Sequence, residues 1–519
     1  MRPTPLAAAT LLAAAAALPA ADWSGFRNGG PSKAEGDFPV RWSAKDNVLW
    51  QAETAGYGQS APVVSGGRVF LTAAEGDRKQ TGLLLCHDLK TGERLWEHRF
   101  DTSERSVNNY TNARAAPTPV LDGDRVNAFW ESGDLRAFTH DGDLVWSRSL
   151  TDEFGGVQNH HGLGGSPAQD ADAVYLNVEH DGPSYLIAVG KASGQTLWKV
   201  DRPSGKSWTT PVLATAGGRR LVVVSSAGSV TGYDAADGAE LWEIEGLSGN
   251  TIPSPTVVPD PAGGPDRILV GSRIPEFGNE SDAASGNTLI ALSEDGTAAT
   301  TVWKADRAVC HYASPVAAAG HAYFLSKPGV LAAVSLEDGS VAYRKRLGVS
   351  CWSTPVVAGD RLYFFGGGGA VAVVAAGPEF EVLAENRLWP EDAAPTPETY
   401  TEAEGGVGHG GGGHGHGHAG KGEPPAGGFA ARLLKGDADG DGMLSAEEVA
   451  PAMQPMFAKM DADGSGRVDA GELAELERRF KEKRASSRVE SRDPIVYGVA
   501  AADGVFVVRT GTRLFAVGG

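Results

Sequence analysis

The sequence predicts an all-β protein: an eight-bladed β-propeller closed by an N-terminal strand, with a small α-helical insertion between blades 7 and 8. Three observations predict it. A hairpin segment ending in an aromatic residue recurs along most of the 519 residues. A small or polar residue followed by Pro opens a strand in each repeat. The two ends of the chain carry complementary fragments of one repeat. A period of roughly 40–60 residues with this content marks a propeller or a related array.

The clearest hairpin is Leu84–Trp96, LLCHDLKTGERLW. Its shape returns at Leu135–Trp146, Leu186–Trp198, Val230–Trp242 and Leu331–Tyr343, and more loosely in LIALSEDGTAATTVW, which ends at Trp303. In the five close copies Gly stands four residues before the aromatic: Gly92, Gly142, Gly194, Gly238 and Gly339. Glycine accepts the turn dihedrals, and the alternating apolar residues on either side form two antiparallel strands. Each closing Trp reads as a wedge that buries a large apolar face between blades.

The openings are Ala61-Pro62, Thr118-Pro119, Ser166-Pro167, Thr210-Pro211, Ser254-Pro255, Ser314-Pro315 and Thr354-Pro355, with a weaker eighth at Asp493-Pro494. Proline suits the first residue of a strand, where no ladder donor is needed. A Gly-containing turn and a second strand follow, as in Gly67–Phe70 and Gly359–Phe364. Each unit therefore reads as four strands. The last unit, Gly504–Gly519, holds a second and a third strand (Val505–Arg509 and Leu514–Val517) and no fourth. Val48–Trp50 is a fourth strand with no preceding three. The N-terminal strand is expected to complete the last blade, and closure removes the sheet edges an open array would expose.

Composition narrows the function classes. A formal charge of −19 argues against nucleic acid, which needs a basic face. Three cysteines rule out a disulfide framework and a four-cysteine zinc site. Cys310 and Cys351 stand five and four residues before Pro315 and Pro355, so in an exported chain a bridge between them is left open. Residues 1–21 read as an export signal: Arg2, the Ala/Leu core Leu6–Leu18, then Pro19-Ala20-Ala21. That core is too short to span a bilayer, and no other stretch is long and apolar enough to do so. The expectation is a mature chain exported to the periplasm or the extracellular space.

The hairpin signature (Asp, two residues, Thr-Gly, three residues, Trp) resembles the tryptophan-docking repeat of the pyrroloquinoline quinone (PQQ)-like β-propeller superfamily. The segment Trp23-Ser24-Gly25-Phe26-Arg27 and the Ser/Thr-Pro openings are similar to the same family. The resemblance covers about residues 22–389 and 490–519. It implies the fold, and it implies either of two roles. The superfamily contains quinoprotein alcohol dehydrogenases, and also non-enzymatic propellers such as the lipoprotein subunit of the outer-membrane barrel-assembly machine.

Residues 22–389 are assigned to the closing strand and blades 1–7, and 490–519 to blade 8. Between them, 390–428 is a Gly/His/Pro-rich linker without hydrophobic periodicity. Its His409, His414, His416 and His418 could hold a transition metal loosely; the simpler reading is a solvated tether. Residues 429–484 carry the sharpest chemical signal. Asp437, Asp439, Asp441, Met443 and Glu448 stand at positions 1, 3, 5, 7 and 12 of an EF-hand loop. Asp461, Asp463, Ser465, Arg467 and Glu472 repeat those positions, with Asp469 adding a carboxylate at position 9. Calcium takes six to eight hard oxygens. The side chains at 1, 3, 5 and 12 and the carbonyl at 7 supply them around a Gly at position 6. Two Ca2+ sites are expected. Leu444 and Val468, at position 8 of each loop, should join by a short β contact. The connector 449–460 carries Pro451 and Pro455, so its helices must be abbreviated, and structural or extracellular-grade calcium binding is expected rather than the opening of a target groove.

In a propeller the loops entering the first strands gather round one mouth of the channel. Here they bring Asn109, His160, His161, Trp208, His311 and Trp352, with Tyr57, Arg114, Asn250 and Tyr312 beside them. Such a set could bind a ligand or could simply pack the loops together. The sequence has no adjacent cysteine pair of the kind the quinoprotein dehydrogenases place over their quinone, and their catalytic carboxylates do not map onto these loops. The favoured reading is a non-enzymatic propeller binding a protein or small molecule at the mouth. PQQ-dependent oxidation is the alternative, and PQQ the cofactor not favoured.

Overall fold

In the computed structural model the hairpins and openings become eight sheets. The residues described are 22–519, except 105–112, 160, 227, 275–285, 306, 327, 392–394, 396–436, 438, 440, 447, 449–456, 458–459, 462–464, 470 and 474–494. The export segment, the His-rich linker, Asn109, His160, Asp463 and the Asp493-Pro494 opening lie outside them. Two compact units emerge, Met1–Gly406 with Asp493–Gly519, and Val407–Arg492. Among the described residues no helix is long and apolar enough to cross a membrane.

The first unit is an eight-bladed propeller of antiparallel four-stranded sheets in simple chain order. Blade 1 runs Val63–Ser65, Arg68–Glu75, Thr81–Asp88 and Arg94–Asp101. The last blade is Gly498–Ala502, Val505–Arg509 and Arg513–Gly518, completed by the N-terminal strand Val48–Glu53. Val48 pairs with Val517 and Glu53 with Arg513, so the ring closes as its ends predict. The closing strand runs past Trp50 to Glu53. Blade 7 also gains an unforeseen fifth strand: Lys33–Ala34 lies parallel to Val356–Ala358.

Two clasps join neighbouring blades. The outer clasp is the Trp. Trp50 of blade 8 donates its Nε1–H to the Leu89 carbonyl of blade 1 (2.9 Å). Trp96 reaches His140 (3.0 Å), Trp146 reaches Lys191 (2.8 Å) and Trp198 reaches Ala235 (2.9 Å), each on the next blade. The indole rests on that blade's turn glycine. A methyl group at Gly92 would stand 2.5 Å from Trp50, and one at Gly238 2.6 Å from Trp198. Glycine thus serves both the turn, with φ near +75°, and the docking. A register shift beside each of these Trp residues, as between Cys86 and His87, turns out the preceding residue; this leaves Leu49, Leu95, Val145 and Leu197 exposed.

The inner clasp is a relay of hydroxyls. The backbone N–H of Ala61 donates to Thr118 Oγ1, Thr118 to Ser166 Oγ and Ser166 to Thr210 Oγ1, each at 2.9 Å. Thr210 then donates to Ser254 Oγ (2.9 Å), Ser254 to Ser314 Oγ (3.0 Å) and Ser314 to Thr354 Oγ1 (3.1 Å). All these opening residues are buried or nearly so. An unmet amide there would cost roughly 1–3 kcal/mol, so the Ser or Thr before each Pro has a bonding reason.

At the end of the channel where the first strands turn into the second, Trp23–Ala34 crosses the ring. It pairs with Val64 of blade 1 through Trp23, and the Ser24 carbonyl accepts from the Leu121 amide of blade 2. Arg27 donates to Thr256 Oγ1 of blade 5 (2.7 Å), and Ser32 Oγ to the Pro355 carbonyl of blade 7 (2.7 Å). Gly30 has φ +131° and a methyl there would meet Val212 of blade 4 at 3.1 Å, so only glycine lets the segment lie this close.

In the second unit the two acidic loops are joined by a two-residue antiparallel contact, Leu444 with Val468 and Ser445 with Arg467, as position 8 predicts. Leu444, Met460, Val468 and Leu473 are each buried, at 0–1% exposure.

Candidate functional site

The loops that precede the first strands do meet. The Gln59 amide donates to the Arg114 carbonyl (3.0 Å), Ala113 to His161 (2.8 Å) and Trp208 to Thr251 (2.8 Å), so neighbouring loops form one rim. On one side of this mouth the aromatics form a continuous chain across four blades. The Arg114 guanidinium lies 5.3 Å over the Tyr57 ring. The Tyr57 and Tyr497 hydroxyls hydrogen-bond at 2.8 Å. Tyr497 meets Trp352 edge-on at 6.2 Å, Trp352 stacks on Tyr312 at 3.7 Å and 12°, and Tyr312 meets His311 at 4.1 Å. Trp352 is 40% exposed, an open aromatic surface at the rim. Burial pushes the Tyr312 phenol above its ordinary pKa, against the pull of nearby Arg273, so it stays protonated. On the other side His161 and Trp208 form a second group, rings 6.0 Å apart, with Trp208 Nε1 donating to the Gly162 carbonyl (3.0 Å).

Of the mouth residues expected from sequence, the structure therefore joins His311 to Trp352 through Tyr312, and His161 to Trp208. Asn250 has a packing role: its amide donates to Ser225 Oγ and the Ser229 carbonyl and accepts from the Gly228 amide. Tyr497 was not foreseen. The register explains why: Ala502 faces Val505 as Ala358 faces Arg361, which puts Gly498-Val499 where the Ser/Thr-Pro pair stands in other blades. Arg509 was also missed. It is fully buried between blades 8 and 1 and donates to the Ser60 carbonyl (3.1 Å) and to Ser60 Oγ.

Charge at the mouth is neutralised in buried pairs. Lys79 and Glu131 meet at 3.3 Å between blades 1 and 2, with 4% and 6% of their side chains exposed. Arg202 and Glu179 meet at 2.8 Å within blade 3, and Ser226 Oγ of blade 4 also donates to Glu179. These carboxylates have partners in the protein and are set up as braces. The three cysteines are free and buried. Cys310 sits in the core shared by blades 5 and 6, Cys351 in that shared by blades 6 and 7, so the bridge left open by sequence is not formed.

In the second unit Asp437, Asp439 and Asp441 bring carboxylate oxygens within 4.8 Å of one another. The loop folds on its own backbone: Asp437 accepts from the Gly442 amide (2.9 Å) and Asp441 from Met443 (2.8 Å), while Glu448 accepts from the Ser445 amide (2.9 Å). The second loop repeats this. Asp461 accepts from the Ser465 and Gly466 amides (both 2.9 Å), and Glu472 accepts from Asp469 (3.0 Å). Gly442 and Gly466 carry φ of 81° and 80°, the sharp bend at position 6. The Arg467 side chain crosses to Asp441 of the first loop. This donor set is hard oxygen throughout and fits a calcium ion.

The ring, its Trp clasp and its closure define a PQQ-like β-propeller. A family model described as outer membrane protein assembly factor BamB matches residues 39–178, 183–308 and 285–399, and the chain belongs to that family. A second model, EF hand, matches 453–476. No curated protein matches the chain. Similar solved structures include BamB from Moraxella catarrhalis (14% identity, TM-score 0.44, covering 65% of this chain and 90% of that one). The quinohemoprotein alcohol dehydrogenase from Comamonas testosteroni gives 14% identity and TM-score 0.48, over 70% of this chain and 73% of its own. A europium-containing methanol dehydrogenase gives 13% and 0.42, over 69% and 90%.

Proposed function

We propose that this protein is an exported, non-enzymatic binding propeller that engages a protein or small-molecule partner at the aromatic side of its mouth, and that its EF-hand unit holds two calcium ions. The observation carrying the first part is the exposed Trp352, stacked on Tyr312 and continued through Tyr497 to Tyr57 and Arg114. Aromatic faces backed by a rigid rim give contact area at little entropic cost. The absence of an adjacent cysteine pair and the bracing of Glu131 and Glu179 by cations speak against carboxylate chemistry there.

Incubating the full chain with PQQ and calcium, followed by dye-linked alcohol oxidation, should give no turnover; quinone-dependent turnover would mean an oxidoreductase. A photo-crosslinking residue at position 352 should trap a partner that the same residue at Val302, on an outer strand, does not. Equal labelling at both positions would sink the mouth as the site. Calcium titration of the full chain should show two binding events, both lost in Glu448→Gln with Glu472→Gln. A single event would leave one functional loop.

A further inference from the structure

Arg27 is 3% exposed, inside the segment that crosses the channel. Its Nη atoms donate to Thr256 Oγ1 and the Pro255 carbonyl, both neutral. Its Nε–H is buried and meets no acceptor. Burial pulls the guanidinium down to about 9, so it stays charged at neutral pH, and the thiol that acts on it, Cys310, is pushed up to about 12 and stays neutral. Among the described residues no carboxylate pairs with Arg27. A buried charge needs a counter-charge or hydrogen bonds to all its donors.

The same residue lines a cavity of about 280 Å³ between the crossing segment and blades 2 to 4. Gln169 and Lys191 share the wall, and Gln169 Oε1 is likewise buried without a partner. The acidic groups on this wall are engaged elsewhere: Asp122 pairs with Lys191 Nζ at 2.8 Å, and Asp170 accepts from the Tyr175 hydroxyl at 2.7 Å.

We propose that this cavity is a binding site for a small monovalent anion, a halide or a carboxylate the size of formate, held at Arg27 Nε. At roughly 30 Å³ per water, the space takes the ion with about eight waters, and one of these meets Gln169 Oε1. The site is independent of the mouth, and its failure would leave the binding reading untouched.

Crystals of the full chain grown in sodium bromide test it at the bromine absorption edge. The expected result is an anomalous peak within hydrogen-bond distance of Arg27 Nε, absent in Arg27→Gln. A water without anomalous signal at that position overturns the proposal. In solution at constant ionic strength, chloride titrated into a gluconate background should raise Tm saturably, and Arg27→Gln should lose that response. The same salt response in both proteins also overturns it. If Arg27→Gln does not fold, the wild-type bromide crystals decide alone.

Discussion

Two seams of the ring, between blades 4 and 5 and between blades 8 and 1, depart from the two-clasp pattern in opposite ways. Between blades 4 and 5 the inner clasp is kept, with Thr210 donating to Ser254, but the outer one is lost. Trp242 Nε1 is buried with no acceptor, and the turn glycine opposite, Gly296, packs against Leu221 instead of an indole. This is the seam onto the loosest hairpin copy. Between blades 8 and 1 the outer clasp is intact, with Trp50 on Gly92, but the hydroxyl relay stops. Ala61 stands in the hydroxyl position of blade 1, Gly498 of blade 8 packs so close to it that a methyl there would lie 2.4 Å from its Cα, and Arg509 fills the seam. The two clasps therefore act independently: the outer one is lost between blades 4 and 5 where the inner is kept, and the reverse holds between blades 8 and 1.

The largest effect expected from breaking this contrast is at the closing seam. Arg509→Met removes the bonds to Ser60 and leaves its carbonyl unmet, at a cost of about 3 kcal/mol in denaturant unfolding. A loss no greater than that of a surface arginine would show that the outer clasp alone closes the ring. Next is the glycine pair. Gly238→Ala meets Trp198 at 2.6 Å and should cost about 2 kcal/mol, whereas Gly296→Ala, 3.1 Å from Leu221, should cost about 1 kcal/mol from its positive φ. Equal Tm shifts would refute the docking account. Thr210→Val keeps the shape but strands the Ser166 amide, for about 1–2 kcal/mol. The smallest effect is electrostatic. Burial holds His87 below its ordinary pKa, while its ring Nδ1–H donates to the Gly92 carbonyl (2.9 Å) on blade 1's own turn. The unfolded chain takes up a proton below about pH 6.5 and the folded chain does not, so stability falls as pH drops through that range. His87→Gln should flatten that slope.

Much of the architecture was legible because it repeats. The Gly-to-Trp spacing and the Pro openings recur, and a missing strand at one end was matched by a spare one at the other. The two acidic loops were legible for a different reason: their residue spacing is fixed by local chain geometry, and Leu444 pairs with Val468 as their positions require. The mouth was legible only in part. Trp352, Tyr312 and His311, expected on neighbouring loops, do contact one another, but Tyr497 was hidden because blade 8 lacks the opening that flags its neighbours.

Sequence by itself determined the number of blades, the strand that closes them and the short contact that joins the two acidic loops, since each is written in repeated residue patterns along the chain. Only the tertiary structure decided which atoms bond across blades. Thr118 and Ser166 lie 48 residues apart, and Arg27 and Thr256 lie 229 apart. Those partners are set by the circumference of the ring, which no local pattern encodes.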